Sequence, residues 1–199
     1  MIAIVNYGMG NLRSVQKAFE TVGLEAVVTH DPEVLKASEG IVIPGVGAFY
    51  DAMENIKTLN LEESILEEVS KGKPFLGICL GMQILFDHGY EVEKCQGLGL
   101  VEGDIVKIPE GRKVPHMGWN QLNINQESAI LKGITPGTNF YFVHSYYAKC
   151  HQDVVVASTD YKMDIPAIVQ KDNVWGIQFH PEKSGKSGLK ILKNFGELI

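Results

Sequence analysis

The chain has 199 residues, 45% hydrophobic and 21% charged, with a formal net charge of −6 at pH 7; that length suits one domain, residues 1–199, around a full hydrophobic core. The acidic balance argues against a protein held to nucleic acid by a basic face, and no apolar run approaches the ~20 residues of a membrane span. Three cysteines, Cys79, Cys95 and Cys150, make a poor disulfide framework and lack zinc-ligand spacing, so reduced thiols and no metal are expected.

Residues 2–6, "IAIVN", read as a strand. Met1 leads into it without the charged start of a signal peptide, so the chain is expected to be cytoplasmic. In 11–23, Leu12, Val15, Ala18, Phe19 and Val22 share one helical face and Gly23 is the stop. Residues 24–29 are the next strand, and Asp31 with Pro32 opens a helix as N-cap and first helical position. Residues 40–45, "GIVIPG", are a third strand. Residues 48–71 hold one or two amphipathic helices, 74–79 a fourth strand, and 80–87 the start of another helix. Alternating short apolar strands and helices predict an α/β fold: three layers, an open, mostly parallel sheet with helices on both faces. The second half reads as strands with little helix, including a hairpin around Asp172-Asn173 and a final helix over 187–198. It is expected to extend the same sheet in antiparallel fashion.

Cys79 ends the fourth strand, inside "G-I-C-L-G". In an open α/β sheet ligands gather at the carboxyl ends of the strands. A residue at that corner projects from the top of the sheet, with a helix N-terminus beneath it to favour thiolate. The layout matches a nucleophile elbow with Cys in place of Ser, flanking glycines permitting a strained turn. The bland alternative is a buried structural cysteine. A base is offered by "H-P-E". Residues i and i+2 of an extended segment share a face, so His180 and Glu182 are expected side by side with Pro181 holding the backbone extended. That is triad logic, against the alternative of a surface loop after a hairpin. His116 and His144 are secondary candidates; His30, His88 and His151 read as solvated loop or helix-end residues. The turn Gly45-Val46-Gly47 can aim a backbone N–H at a developing oxyanion, or serve as an ordinary strand-to-helix turn.

Together "KPFLGICLGMQILF", "IPGVGAF" and "WGIQFHPEKS" resemble the class I, triad-type glutamine amidotransferases. "NYGMGNLRSV", "VPHMGWN" and "FYFVHSYY" resemble, within that class, the glutaminase subunits of imidazole glycerol phosphate synthase. The match runs in order from about residue 2 to the last helix. It implies Cys79, His180 and Glu182 as catalytic residues and the backbone of Leu80, Val46 and Gly47 as oxyanion hole. It further implies that Gly47, Gln83, Ser145 and Tyr146 hold glutamine, although Gln83 reads equally as an exposed helix residue. It implies a heterodimer with a (β/α)₈-barrel cyclase subunit, which uses the ammonia to make imidazole glycerol phosphate and aminoimidazole carboxamide ribotide in histidine biosynthesis. Asn11, Arg13, Met117 and Trp119 would lie toward that partner; a core role for Trp119 is the alternative on composition.

No cofactor is expected. There is no Walker sequence, and "G-M-G-N-L-R" has Arg13 where a dinucleotide fingerprint needs its third glycine. Two rivals stand beside this reading. One is a sister glutaminase serving pyridoxal phosphate or anthranilate synthesis, against which "VPHMGWN" and "FVHSYY" argue. The other is a catalytically silent scaffold, which would show a broken triad.

Overall fold

The computed structural model describes residues 1–199. In chain order the elements are β1 (Ile2–Val5), α1 (Leu12–Thr21), β2 (Ala26–Thr29), α2 (Pro32–Ala37), β3 (Gly40–Gly45), α3 (Phe49–Thr58), α4 (Leu61–Ser70), β4 (Phe75–Cys79) and α5 (Leu80–Gln83). Then follow β5 (Phe86–Tyr90), β6 (Lys94–Gln96), β7 (Val101–Lys107), β8 (His116–Gln121), β9 (Asn123–Ile124), β10 (Asn139–His144) and β11 (Tyr146–Cys150). The chain closes with β12 (Val155–Asp160), β13 (Asp164–Lys171), β14 (Val174–Ile177) and α6 (Gly185–Gly196).

An eight-stranded sheet in the order β2-β1-β3-β4-β14-β13-β12-β9 crosses the molecule. β2, β1, β3, β4 and β14 are parallel, and β13, β12 and β9 continue it antiparallel. Side chains alternate along the strands and divide the core in two. Ile2, Ile4, Val42, Leu76 and Ile78 meet Val15 and Phe19 of α1 and Ile191, Leu192 and Phe195 of α6. Ala3, Val5, Ile41, Ile43 and Phe75 meet Met53 and Ile56 of α3 and Ile65 of α4 on the other face. Asp31 accepts from the Glu33 N–H and Pro32 opens α2, as its sequence predicts.

Three expectations need correction. The antiparallel half does not all join the main sheet: β10 and β8 form a two-stranded ribbon, and β11-β7-β5-β6 a separate four-stranded sheet. The helix expected from 80 to 87 is a single turn, and 86–90 is a strand. Asp87, His88 and Gly89 are poor helix formers, and β5 finds backbone partners in both β6 and β7. His88 therefore lies on a half-buried strand, 3.3 Å from Asp104, while His30 and His151 are exposed.

Candidate active site

At the end of β4 the chain leaves the sheet through Cys79, whose φ of 56° lies where non-glycine residues rarely sit. A Cβ added at Gly81 would stand 1.8 Å from the Ile43 carbonyl oxygen, and one at Gly77 would stand 2.4 Å from that of Gly81. The two glycines therefore let the corner close onto β3 and β4. The expected help from a helix dipole is small, because α5 has only four residues. Activation of the thiol must come from the side chains around it.

The base reaches the thiol from the second half of the chain, beyond the parallel strand β14. β14 ends at Ile177, two residues earlier than the run "VWGIQF" suggests. The His180 N–H donates to the Tyr141 carbonyl of β10 at 2.9 Å. The Ser184 hydroxyl donates to the His180 carbonyl (2.7 Å) and accepts from the Tyr141 N–H (3.0 Å). His180 Nδ1 lies 2.7 Å from Glu182 Oε1, with both side chains out of solvent. This pairing is not made by an extended i, i+2 segment: Pro181–Lys183 is one turn of 3₁₀ helix. A second donor, Asn11 Nδ2, reaches the same Glu182 oxygen. Burial alone would pull the His180 imidazole down. The proximity and charge of Cys79, with the hydrogen bond and charge of Glu182, outweigh it and push the ring up to about 9. Nε2 is the nitrogen left for Cys79, and it has no closed hydrogen bond in the resting geometry. Such bonds are commonly long before substrate tightens them.

Cys79 and His180 open on a pocket of about 320 Å³, walled by Val46, Gly47, Leu80, Gln83, Glu91, Val143, Ser145 and Tyr146. A larger hollow of about 590 Å³ beside α4 is lined by Lys57, Glu62, Glu63, Glu67 and Ser70 and holds neither cysteine nor histidine, so the chemistry belongs to the smaller one. The Val46 and Gly47 N–H groups take no intramolecular partner. Gly47 has φ of 115°, and a Cβ there would meet the Met9 methyl at 2.4 Å. The buried Tyr7 hydroxyl donates to the Pro44 carbonyl at 2.9 Å and steadies the start of this turn; burial, then the nearby Cys79, pushes its phenol well up. Leu80 opens α5, so its N–H is among those without an intrahelical acceptor. Glu91 Oε2 accepts from the Phe49 N–H at 2.8 Å and its carboxylate edges the pocket.

The structure thus brings Cys79, His180, Glu182, Val46, Gly47, Leu80, Gln83, Ser145 and Tyr146 to one place. Gln83 is buried, not exposed: its Nε2 donates to the Tyr146 carbonyl (3.2 Å) and to Gln178 Oε1 (3.1 Å). Arg13, Met117 and Trp119 lie outside the pocket and exposed, the last two at 61% and 58%, which excludes a core role for Trp119. Asn11, placed toward the partner by resemblance, turns its amide inward to Glu182. His116 and His144 are buried against each other and pushed down by burial, to about 4 and about 3. Neutral and bonded elsewhere, they do not serve as the thiol's base. Sequence reasoning missed Gln178, Ser184 and Glu91. Gln178 left a signal, an uncharged polar residue inside the apolar run 174–179. Glu91 meets Phe49 across 42 positions, and no local pattern announces such a contact.

The glutamine amidotransferase class-I profile matches residues 3–198. The chain is 52% identical over 200 residues to the "Imidazole glycerol phosphate synthase subunit HisH" of Caldanaerobacter subterraneus subsp. tengcongensis, covering 100% of this chain and 98% of that one. It is 51% identical over 199 residues to the protein of the same name from Methanothermobacter thermautotrophicus, covering 100% and 99%. Among solved structures, a glutamine amidotransferase matches with a TM-score of 0.78 at 21% identity, over 98% of this chain and 100% of that one. PurLQS from Thermotoga maritima matches at 0.79 and 22%, over 99% and 97%; at these identities the likeness bears on the fold alone. With the family profile spanning nearly the whole sequence and half the residues shared with full-length relatives, the chain belongs to the class I glutamine amidotransferase family, in its group of HisH subunits.

Proposed function

We propose that this chain releases ammonia from glutamine through a cysteinyl thioester and delivers it to the cyclase subunit of an imidazole glycerol phosphate synthase. The observation that carries the proposal is the buried His180–Glu182 pair set against the strained Cys79 corner. His180 takes the thiol proton and Glu182 stabilises the resulting imidazolium. The sulfur attacks the side-chain amide carbon. The N–H groups of Leu80 and the Val46-Gly47 turn receive the oxyanion. His180 then returns the proton to the departing nitrogen, and ammonia leaves. Water, deprotonated by the same ring, cleaves the thioester and glutamate follows. Gln83 and the Ser145-Tyr146 backbone hold the substrate, and the Glu91 carboxylate suits its α-ammonium group.

The relatives' names describe a subunit, so the chain works with a partner subunit. We take that partner to be a (β/α)₈-barrel docking over Met117 and Trp119, with Arg13 nearby. No helix is long and apolar enough to cross a membrane. The main sheet runs through both halves of the chain, which supports one domain over residues 1–199.

The test is Cys79→Ala mixed with the cyclase subunit and its nucleotide. The complex should form as with the parent. Glutamine should no longer support synthesis, and added ammonium salt at a pH that supplies free ammonia should still do so. Unchanged glutamine use would remove Cys79 as nucleophile. Loss of ammonia use in an intact complex would place acceptor chemistry on this chain. A silent scaffold predicts no effect of the substitution.

A further inference from the structure

One hydrogen-bonded chain touches the reacting sulfur through Gln178, a residue the mechanism above does not use. Gln178 is fully buried, and its Nε2 lies 3.8 Å from Cys79 Sγ. Its Oε1 accepts from Gln83 Nε2, which also donates to the Tyr146 carbonyl. That carbonyl receives His144 Nδ1 at 2.7 Å. His144 Nε2 meets His116 Nδ1 at 2.9 Å, and His116 Nε2 meets Asn120 Nδ2 at 3.2 Å. Asn120 Nδ2 ends the chain on the Asp160 carbonyl at 2.8 Å.

Two backbone carbonyls fix every direction in this chain, because a carbonyl only accepts. Asp160 forces the Asn120 nitrogen inward, so His116 Nε2 accepts and its Nδ1 carries the proton. His144 Nε2 then accepts in turn, and its Nδ1–H points at Tyr146. From the other side, Tyr146 forces the Gln83 nitrogen toward it. The same nitrogen reaches Gln178 Oε1, which leaves the Gln178 NH₂ facing the sulfur. No member is left with two donors or two acceptors opposed. A buried chain of this kind holds one arrangement, since any single flip leaves groups unpaired.

We infer that Gln178 is a positioning residue for the Cys79 thiol, donating an N–H to the sulfur in an orientation set through Gln83, Tyr146, His144 and His116 from Asn120 on β8. A donor aimed at the sulfur favours the thiolate over the thiol and holds it at one rotamer under the oxyanion turn. This inference rests on the reading of Cys79 as nucleophile. The other titratable groups around the sulfur are His180 and Tyr7, with His144 behind His180; the variants below leave all three in place.

The experiment is the pH dependence of Cys79 alkylation by iodoacetamide in the full chain, read by peptide mapping, beside glutamine turnover. Gln178→Met removes the donor and the acceptor. Gln178→Glu keeps the shape and the oxygen that Gln83 needs, but replaces the donor by an acceptor and adds a charge beside the sulfur. Both should raise the apparent pKa of alkylation, Gln178→Met by roughly half a unit to one unit for one hydrogen bond to a charged group and Gln178→Glu by more, because it adds a like charge. Both should lower kcat by about tenfold, with KM within about a factor of two. A merely structural Gln178 would lower stability without moving the profile; a parent-like profile and kcat in Gln178→Met overturns the inference. A second measurement needs no variant. Nitrogen-15 spectra of histidine at pH 7 should show His116 and His144 neutral with the proton on Nδ1, and His144 carrying it on Nε2 would break the chain. Failure of the underlying reading looks different: in the parent, a glutamine-mimicking diazo-ketone would label Cys95 or Cys150 instead of Cys79.

Discussion

The two halves of the site are built by different physics. The parallel half delivers the nucleophile by backbone proximity. Cys79 stands where it does because Gly77 and Gly81 carry nothing that would keep β3, β4 and α5 apart. The second half of the chain delivers base, acid and pocket wall by side-chain hydrogen bonds: His180 to Glu182, Ser184 to β10, His144 to Tyr146. Steric construction has no graded response, because an added atom either fits or displaces the chain. Hydrogen-bonded construction degrades by steps, since each bond contributes about 1 kcal/mol net, more where a charge is involved.

The largest expected effect follows from the steric side. Gly81→Ala puts a methyl 1.8 Å from a backbone oxygen that cannot step aside. Displacing the elbow by about 1 Å should cost at least ~100-fold in turnover, and the clash about 3 kcal/mol of stability. Urea unfolding and glutamate release measure the two; parent-like values for both would refute the steric account of the elbow. Glu182→Gln comes next and tests the hydrogen-bonded side. Turnover should fall by about 10–100-fold at neutral pH, less than the ~10⁴ seen when a serine-protease triad loses its acid charge, because a thiol needs less help. The far-UV circular dichroism should not change. Turnover within a factor of about two of the parent would take Glu182 out of the triad.

A smaller effect belongs to the pocket edge. Glu91→Gln keeps an oxygen for the Phe49 N–H and removes the charge. KM for glutamine should rise about tenfold, the worth of one charge-assisted contact, with kcat within a factor of about two. An unchanged KM would separate Glu91 from the α-ammonium group. The smallest effect is on stability against pH. His116 and His144 hold folded pKa values of about 4 and about 3, below the unfolded 6.5. The unfolded chain therefore takes up protons that the folded chain refuses, and stability should fall as pH drops below 6.5. His180 acts in the opposite sense. Raised to about 9, its contribution is full below 6.5 and is lost as pH rises through 9. Urea midpoints between pH 5 and 9 should peak near neutrality; a midpoint that climbs steadily from pH 6.5 to 5 would mean that the paired histidines accept charge.

What was legible in the sequence follows the same division. The alternation of β1 through β4 with their helices shows in local periodicity, and so does the Cys79 corner, because glycine spacing is local. His180 and Glu182 were paired correctly from spacing, but by the wrong backbone route, a 3₁₀ turn in place of an extended segment. The shortness of α5 does not show in the sequence, because β5 is made by its neighbours in space. Sequence alone does not place Gln83 between surface and pocket, because its partners are Tyr146 and Gln178, 63 and 95 positions away. The inward turn of Asn11 is hidden for the same reason: its amide finds Glu182 across 171 positions.

The β8–β10 ribbon has a mechanical consequence. It is paired on neither outer edge, and two-stranded ribbons twist more freely than wide sheets. Yet Tyr141 on β10 holds both the His180 N–H and the Ser184 hydroxyl, while its ring lies edge-on to the exposed Trp119, 6.0 Å between centroids. The ribbon with no sheet neighbour on either side is therefore the element on which the catalytic loop is seated, and the exposed Trp119 is one aromatic contact away from that seat.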